Sequence, residues 1–244
     1  MNYHVYKLNL LEYLLYGFFY LLADALISYL FFMSVIAFII FLPGIVFYYR
    51  FLSIILKKRR DTLLTFQFKE FITIISSLLS TGYSLDNAIV ESCKELKSLY
   101  PNSLILAEAL KMSHKIMLHI PTDTLFTDFA NRTDIEHIKT FSEILTISTK
   151  SGGNLIQIIM STTASISSQI EIHREIDTSL AGKKYELYIM AIMPLIIILY
   201  IRFTQPGFFN PVYNTLLGSL LMFICLAFYM LAIYIAYKIL ARIH

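Results

Sequence analysis

Few residues in this chain have the type and spacing that chemistry requires. Asp123 and Asp128 could form an acid/base pair, but on a short polar stretch two solvated carboxylates are the simpler reading. His114 and His119 stand five positions apart, so they do not stack on one helical face as an i, i+4 metal pair would, and His137 and His173 are isolated. Gly182-Lys183 lacks the upstream glycine of a phosphate-binding loop, and no G-x-S-x-G nucleophile turn occurs. Cys93 and Cys225 belong to no C-x-x-C pair and read as ordinary buried thiols. The expectation is a protein with no catalytic residues, no metal and no cofactor.

Glu12 and Asp24 differ, because they lie in or beside apolar tracts as intramembrane or interfacial acids. An ionisable group inside the bilayer is a functional candidate by default. A short first span would instead place both at the interface. If they do chemistry, the class is a polytopic membrane peptidase, and replacing both by their amides would abolish it.

The elements that carry these residues follow from composition. Hydrophobic residues make up 57% of the 244 and charged ones 15%, with a mean hydropathy of +0.65. Soluble domains run nearer 45–50% apolar and about 25% charged, so the composition is that of an integral membrane protein. Charge is unevenly spread: Leu8 to Tyr49 holds only Glu12 and Asp24, and Leu187 to Tyr237 only Arg202. A polar domain inserted between membrane segments explains this. The net charge of +3 has its local source in Lys57-Lys-Arg-Arg60, and no basic patch interleaved with aromatics points to nucleic acid.

The sequence therefore predicts an all-α polytopic membrane protein with about four transmembrane helices and an inserted cytoplasmic six-helix bundle. Its expected domains are residues 1–56, 57–184 and 185–244, the outer two being membrane hairpins. The tract from Leu10 to Tyr49 is too long for one span and is split at Asp24, giving Leu10–Leu22 and Ile27–Tyr49 with a kink at Pro43-Gly44. An interfacial helix followed by one span is the alternative, and it would put the N-terminus on the opposite side. The C-terminal spans run from about Leu187 to Ile201, bent at Pro194, and from Leu216 to Tyr237. Lysine and arginine residues collect on one side, with only Arg202 near the other, which places both termini and the central domain in the cytoplasm and the chain in the cytoplasmic membrane.

Within the central domain, Phe68, Phe71, Ile72, Ile75, Leu78 and Leu79 form a helical stripe closed by Gly82, and Ser84 caps the next helix. A third helix bears Leu106, Leu110 and Met117 on one side, and Thr133-Asp-Ile-Glu136 has the spacing of a capping box. Asn154 and Gln157 start the last helix, where Leu155, Ile159, Thr162 and Ile166 keep a seven-residue rhythm. Two turns stand out: Ser80-Thr-Gly-Tyr-Ser-Leu85 and Lys150-Ser-Gly-Gly-Asn-Leu155. With Phe71 laid on Phe141, Ile75 falls on Leu145, Gly82 on Gly152, Leu85 on Leu155 and Ile89 on Ile159, an internal echo of one helix-turn-helix unit.

These turns, with Ala130-Asn-Arg132, Asp134-Ile135, Pro194 and Pro206-Gly-Phe-Phe-Asn-Pro211, resemble the type II secretion F domain. The nearest subgroup is the platform proteins of tight-adherence (Tad) pili, with one such domain between membrane helices. The resemblance implies a platform at the base of a pilus or pseudopilus machine. It implies a hexameric secretion ATPase, a pilin or pseudopilin, and a second copy or sister platform protein as partners, besides the lipid bilayer and without nucleic acid. Gly82, Leu85, Gly152, Gly153, Asn154 and Leu155, with Pro194, are then structural positions. Glu70, Asp86 and Glu91 beside the first turn are the candidate partner contacts. A membrane-anchored receptor or regulator with a helical partner-binding domain is the competing function.

Overall fold

The computed structural model describes Tyr3 and residues 10–151, 155–205, 207–213 and 215–242. Every regular element among them is a helix: α1 (Leu10–Phe31), α2 (Val35–Phe41), α3 (Gly44–Ser80), α4 (Leu85–Leu99), α5 (Leu104–Met117), α6 (Thr122–Thr133), α7 (Glu136–Ser151), α8 (Leu155–Thr204), α9 (Asn210–Tyr213) and α10 (Leu216–Arg242). Four of these, α1, α3, α8 and α10, hold a stretch long and apolar enough to cross a membrane. The chain is thus an all-α polytopic membrane protein. It divides into two compact units, one of Met1–Lys7 with Ser53–Ile172, the other of Leu8–Leu52 with His173–His244.

In the second unit the first span is longer than expected. α1 is unbroken through Asp24, and the chain turns instead at Met33, whose φ is +48°, before Ser34 caps α2 through Ile36 N at 3.2 Å. The split at Asp24 is therefore corrected. A single carboxylate on a buried helix face does not end a helix, whereas a left-handed residue followed by a capping serine does. Pro43-Gly44 likewise separates α2 from α3 rather than kinking one span, so the expected Ile27–Tyr49 span is replaced by the end of α1, α2 and the start of α3. Leu30, Phe31, Met222 and Leu226 form this unit's buried apolar cluster, and most of its apolar side chains outside that cluster face outward, as lipid-facing helices require. Cys225 is exposed on α10, not buried as expected.

α8 is one helix of 50 residues that passes through both Gly182 and Pro194. The expected separation into a bundle helix and a following span is absent, because no capping residue or left-handed glycine interrupts it; Gly182 has no positive φ. Lys184 Nζ meets Asp177 Oδ1 at 3.0 Å along the same stretch.

The first unit contains six helical segments, from the end of α3 to the start of α8. Its core is aromatic. Phe68 meets Phe141 edge-on at 5.7 Å and Phe129 at 6.3 Å, Phe71 stacks on Phe126 at 6.1 Å, and Phe126 lies 5.1 Å from Phe141. These side chains join α3, α6 and α7, and each is buried. Offset and edge-on aromatic pairs contribute beyond their area.

Two local expectations need correcting. The buried face of α5 is Ile105, Leu106, Glu108, Ala109 and Met112, while Leu110 and Met117 are exposed. Apolar residues on both sides of this helix made the stripe ambiguous. The capping box at Thr133–Glu136 does not form: Thr133 is the last residue of α6, and its hydroxyl donates to Phe129 O at 3.0 Å. Asp134, at φ +58°, is the left-handed C-cap of α6, and Ile135 O accepts from Ile138 and Lys139 N–H groups at the start of α7.

Candidate functional site

The first turn is built as its residues demand. Gly82 has φ +96°, Tyr83 N–H donates to Leu78 O at 3.1 Å, and Gly82 N–H donates to Leu79 O at 3.1 Å. This is a Schellman closure, which needs a left-handed residue at Gly82. Ser84 Oγ then accepts from Asn87 N at 3.4 Å, and Leu85 packs against the core as α4 begins. The echoed partners agree in burial: Ile75 with Leu145, and Ile89 with Ile159, are all buried. Gly152, Gly153 and Asn154 lie outside the described residues, and Leu155 is the first residue of α8. Pro194 sits inside α8.

Of the three candidate contact residues, Asp86 is exposed and its Oδ1 accepts a short hydrogen bond from the buried Thr122 hydroxyl. It thereby ties α4 to the start of α6. Glu91 is half-buried and pairs with Lys94 at 2.7 Å one turn on, and Glu70 is half-buried on α3. Glu12 is half-buried in the first turn of α1. Asp24 is only 5% exposed on that helix, and neither its Oδ2 nor the buried Ser28 Oγ has a hydrogen-bond partner among the described residues. Asp123 and Asp128 do not act together. Asp123 Oδ1 accepts from Thr124 N at 2.9 Å, while Asp128 Oδ2 accepts from Arg132 Nε at 3.1 Å.

The most concentrated polar arrangement was not legible as a site. Glu108 on α5 is 1% exposed. Its Oε2 accepts from Arg132 Nη2 at 2.7 Å, and its Oε1 from Lys111 Nζ at 2.8 Å and the Tyr3 hydroxyl at 2.9 Å. Tyr3 is itself buried. Its N–H donates to Arg132 O at 3.0 Å, its carbonyl accepts a short bond from Arg60, and the Arg60 guanidinium stands 5.4 Å over its ring. Arg60 also pairs with Asp61 at 2.9 Å. Four pieces of chain, the N-terminal segment, α3, α5 and α6, thus meet around one carboxylate.

Burial alone would push the Glu108 carboxyl up, but hydrogen bonds from Arg132, Lys111 and Tyr3 outweigh it and hold the group at about 2. Burial, and next the Glu108 charge, push the Tyr3 phenol well above its ordinary range. The cations and carboxylates here neutralise one another. No hydroxyl or thiol stands activated among them, so the arrangement acts as a clamp between helices. A signal for it existed: Glu108 falls between Ile105 and Met112 on the buried side of α5, where an acid requires a buried cation.

The model of one family, described as type II secretion system (T2SS), protein F, matches residues 71–202. No curated protein and no solved structure matches the chain. The matched interval opens at Phe71 in the aromatic core, takes in both turns and the Arg132–Glu108 pair, and closes on Arg202 near the end of α8. Since it covers more than half of the sequence, the chain belongs to the type II secretion system protein F family, whose members are structural platform proteins of secretion and pilus machines.

Proposed function

We propose that this protein is the cytoplasmic-membrane platform of a type II secretion or Tad (type IV-like) pilus machine, and that it couples a hexameric secretion ATPase to pilin insertion. The observation that carries the reading is the family match over residues 71–202, set beside two helices, α3 and α8, that each belong to both compact units. A hydrogen-bonded helix is stiff along its axis, so a twist imposed on its bundle end is passed toward its apolar end. A second copy or a sister platform protein completes the working unit in this reading.

The bundle and both termini face the cytoplasm in this reading. Burial of Tyr3 among Arg60, Glu108 and Arg132 supports an N-terminal end on the bundle's side. Glu70, Asp86 and Glu91 are the proposed ATPase-facing charges, and domains 1–56, 57–184 and 185–244 are the proposed anchor, coupling and anchor segments. Deleting the gene in its host and restoring it tests the proposal. Filament or secretion output is expected to vanish and return; output untouched by the deletion would refute it.

A further inference from the structure

At the turn joining α8 to α10 the second unit has a cavity of about 230 Å³, lined among others by Arg202, Gln205, Asn210, Leu199, Phe203 and Phe209. Arg202 is the one charged residue from Leu187 to Tyr237. Its Nη1 donates a short hydrogen bond to Tyr29 O, its guanidinium lies 3.8 Å over the Tyr29 ring, and the Tyr213 ring is 5.9 Å away. These contacts orient the fork without neutralising it: no lining residue is acidic, and no carboxylate pairs with Arg202 among the described residues. A positioned guanidinium beside apolar walls and two side-chain amides suits an anion. The cavity stands at the end of two helices long and apolar enough to cross a membrane, the level at which a bilayer spanned by them would place its phosphates.

We propose that this cavity binds a phosphodiester, the headgroup phosphate of a membrane phospholipid, with Arg202 as the charge-bearing ligand, Gln205 and Asn210 as amide donors, and Leu199, Phe203 and Phe209 against the glycerol and upper acyl chain. The inference is independent of the platform reading; a lipid site would exist whatever the machine served.

The chain contains no tryptophan, so Phe203→Trp in the full-length protein in detergent gives a single reporter on the cavity wall. Titration with short-chain phosphatidylglycerol is expected to give a saturable emission change, and diacylglycerol of the same chain length none. Adding Arg202→Gln should raise the midpoint about tenfold or more, as loss of a charge-assisted hydrogen bond implies, with Arg202→Lys intermediate. Inorganic phosphate that competes at equal concentration would identify the free anion as a ligand of the same phosphate site; failure to compete would identify the lipid. An equal response to diacylglycerol, or a midpoint unmoved by Arg202→Gln, would overturn the proposal. Should Arg202→Gln not fold, Asn210→Leu replaces it: a several-fold weaker midpoint supports the site and an unchanged one removes it.

Discussion

The Tyr3 hydroxyl donates to Glu108 Oε1 at 2.9 Å across 105 positions of sequence. Tyr3 is thereby held within the helical bundle. Around that bond Arg60, Lys111 and Arg132 supply the positive charge that a buried carboxylate requires.

Arg132→Ala should therefore destabilise the protein by about 2–4 kcal/mol, since it leaves Glu108 buried with only a half-exposed lysine and a phenol. Tyr3→Phe removes one donor and should cost about 1 kcal/mol. Unfolding of the full chain in detergent, followed by helical circular dichroism, measures both. A melting curve for Arg132→Ala that overlays the wild type would show that the clamp contributes nothing.

The same carboxylate sets an acid response. Glu108 titrates at about 2 in the folded protein, against roughly 4.3 in an unfolded chain. A lowered folded value means that the stabilisation is fully present above the unfolded value and is lost as pH falls toward the folded one. About 2 kcal/mol, allowing for solvent screening, should disappear between pH ~4.5 and about 2. In Glu108→Gln that part of the acid loss should be missing. Parallel acid curves for the two proteins would assign the loss to other groups.

Two glycines should respond in opposite directions. At Gly82 a Cβ would meet nothing within 4 Å, but φ is +96°, so Gly82→Ala should cost about 1–2 kcal/mol from backbone strain alone. At Gly182, inside α8, a Cβ also meets nothing within 4 Å and φ is helical, so Gly182→Ala should stabilise by about 0.5–1 kcal/mol. Equal effects at the two sites would contradict this assignment of backbone conformations.

Asp24, in an apolar helix, has a buried carboxylate oxygen with no hydrogen-bond partner among the described residues. Asp24→Asn should raise thermal stability in detergent by about 1 kcal/mol or more. With Glu12→Gln added, filament assembly should persist if the protein is a platform; its abolition with the fold intact would instead point to a membrane peptidase.

Much of this architecture was legible in the sequence because local physics dictates it. Gly82, Ser84 and Leu85 announce a helix end and restart within four residues, and the structure has both the left-handed glycine and the serine cap. The period of Phe68, Phe71, Ile72 and Ile75 marked a core face that is indeed buried. Other features needed tertiary information. Thr133-Asp-Ile-Glu136 satisfies the capping-box pattern, yet α6 runs one residue too far for Thr133 to cap. Asp24 looked like a turn because charge is costly in an apolar run, but it lies inside a helix whose end is set by Met33 and Ser34. The position of Glu108 on α5 signals a buried cation, but nothing local says that Arg132 and Tyr3 come to meet it.

The most direct measurement is co-purification of the full-length protein from cross-linked membranes of its host. Recovery of a secretion ATPase and a pilin-like subunit, with the ATPase reduced by charge reversal at Glu70, Asp86 and Glu91, is the expected result. Membranes in which the protein is abundant and folded but captures neither would contradict the platform.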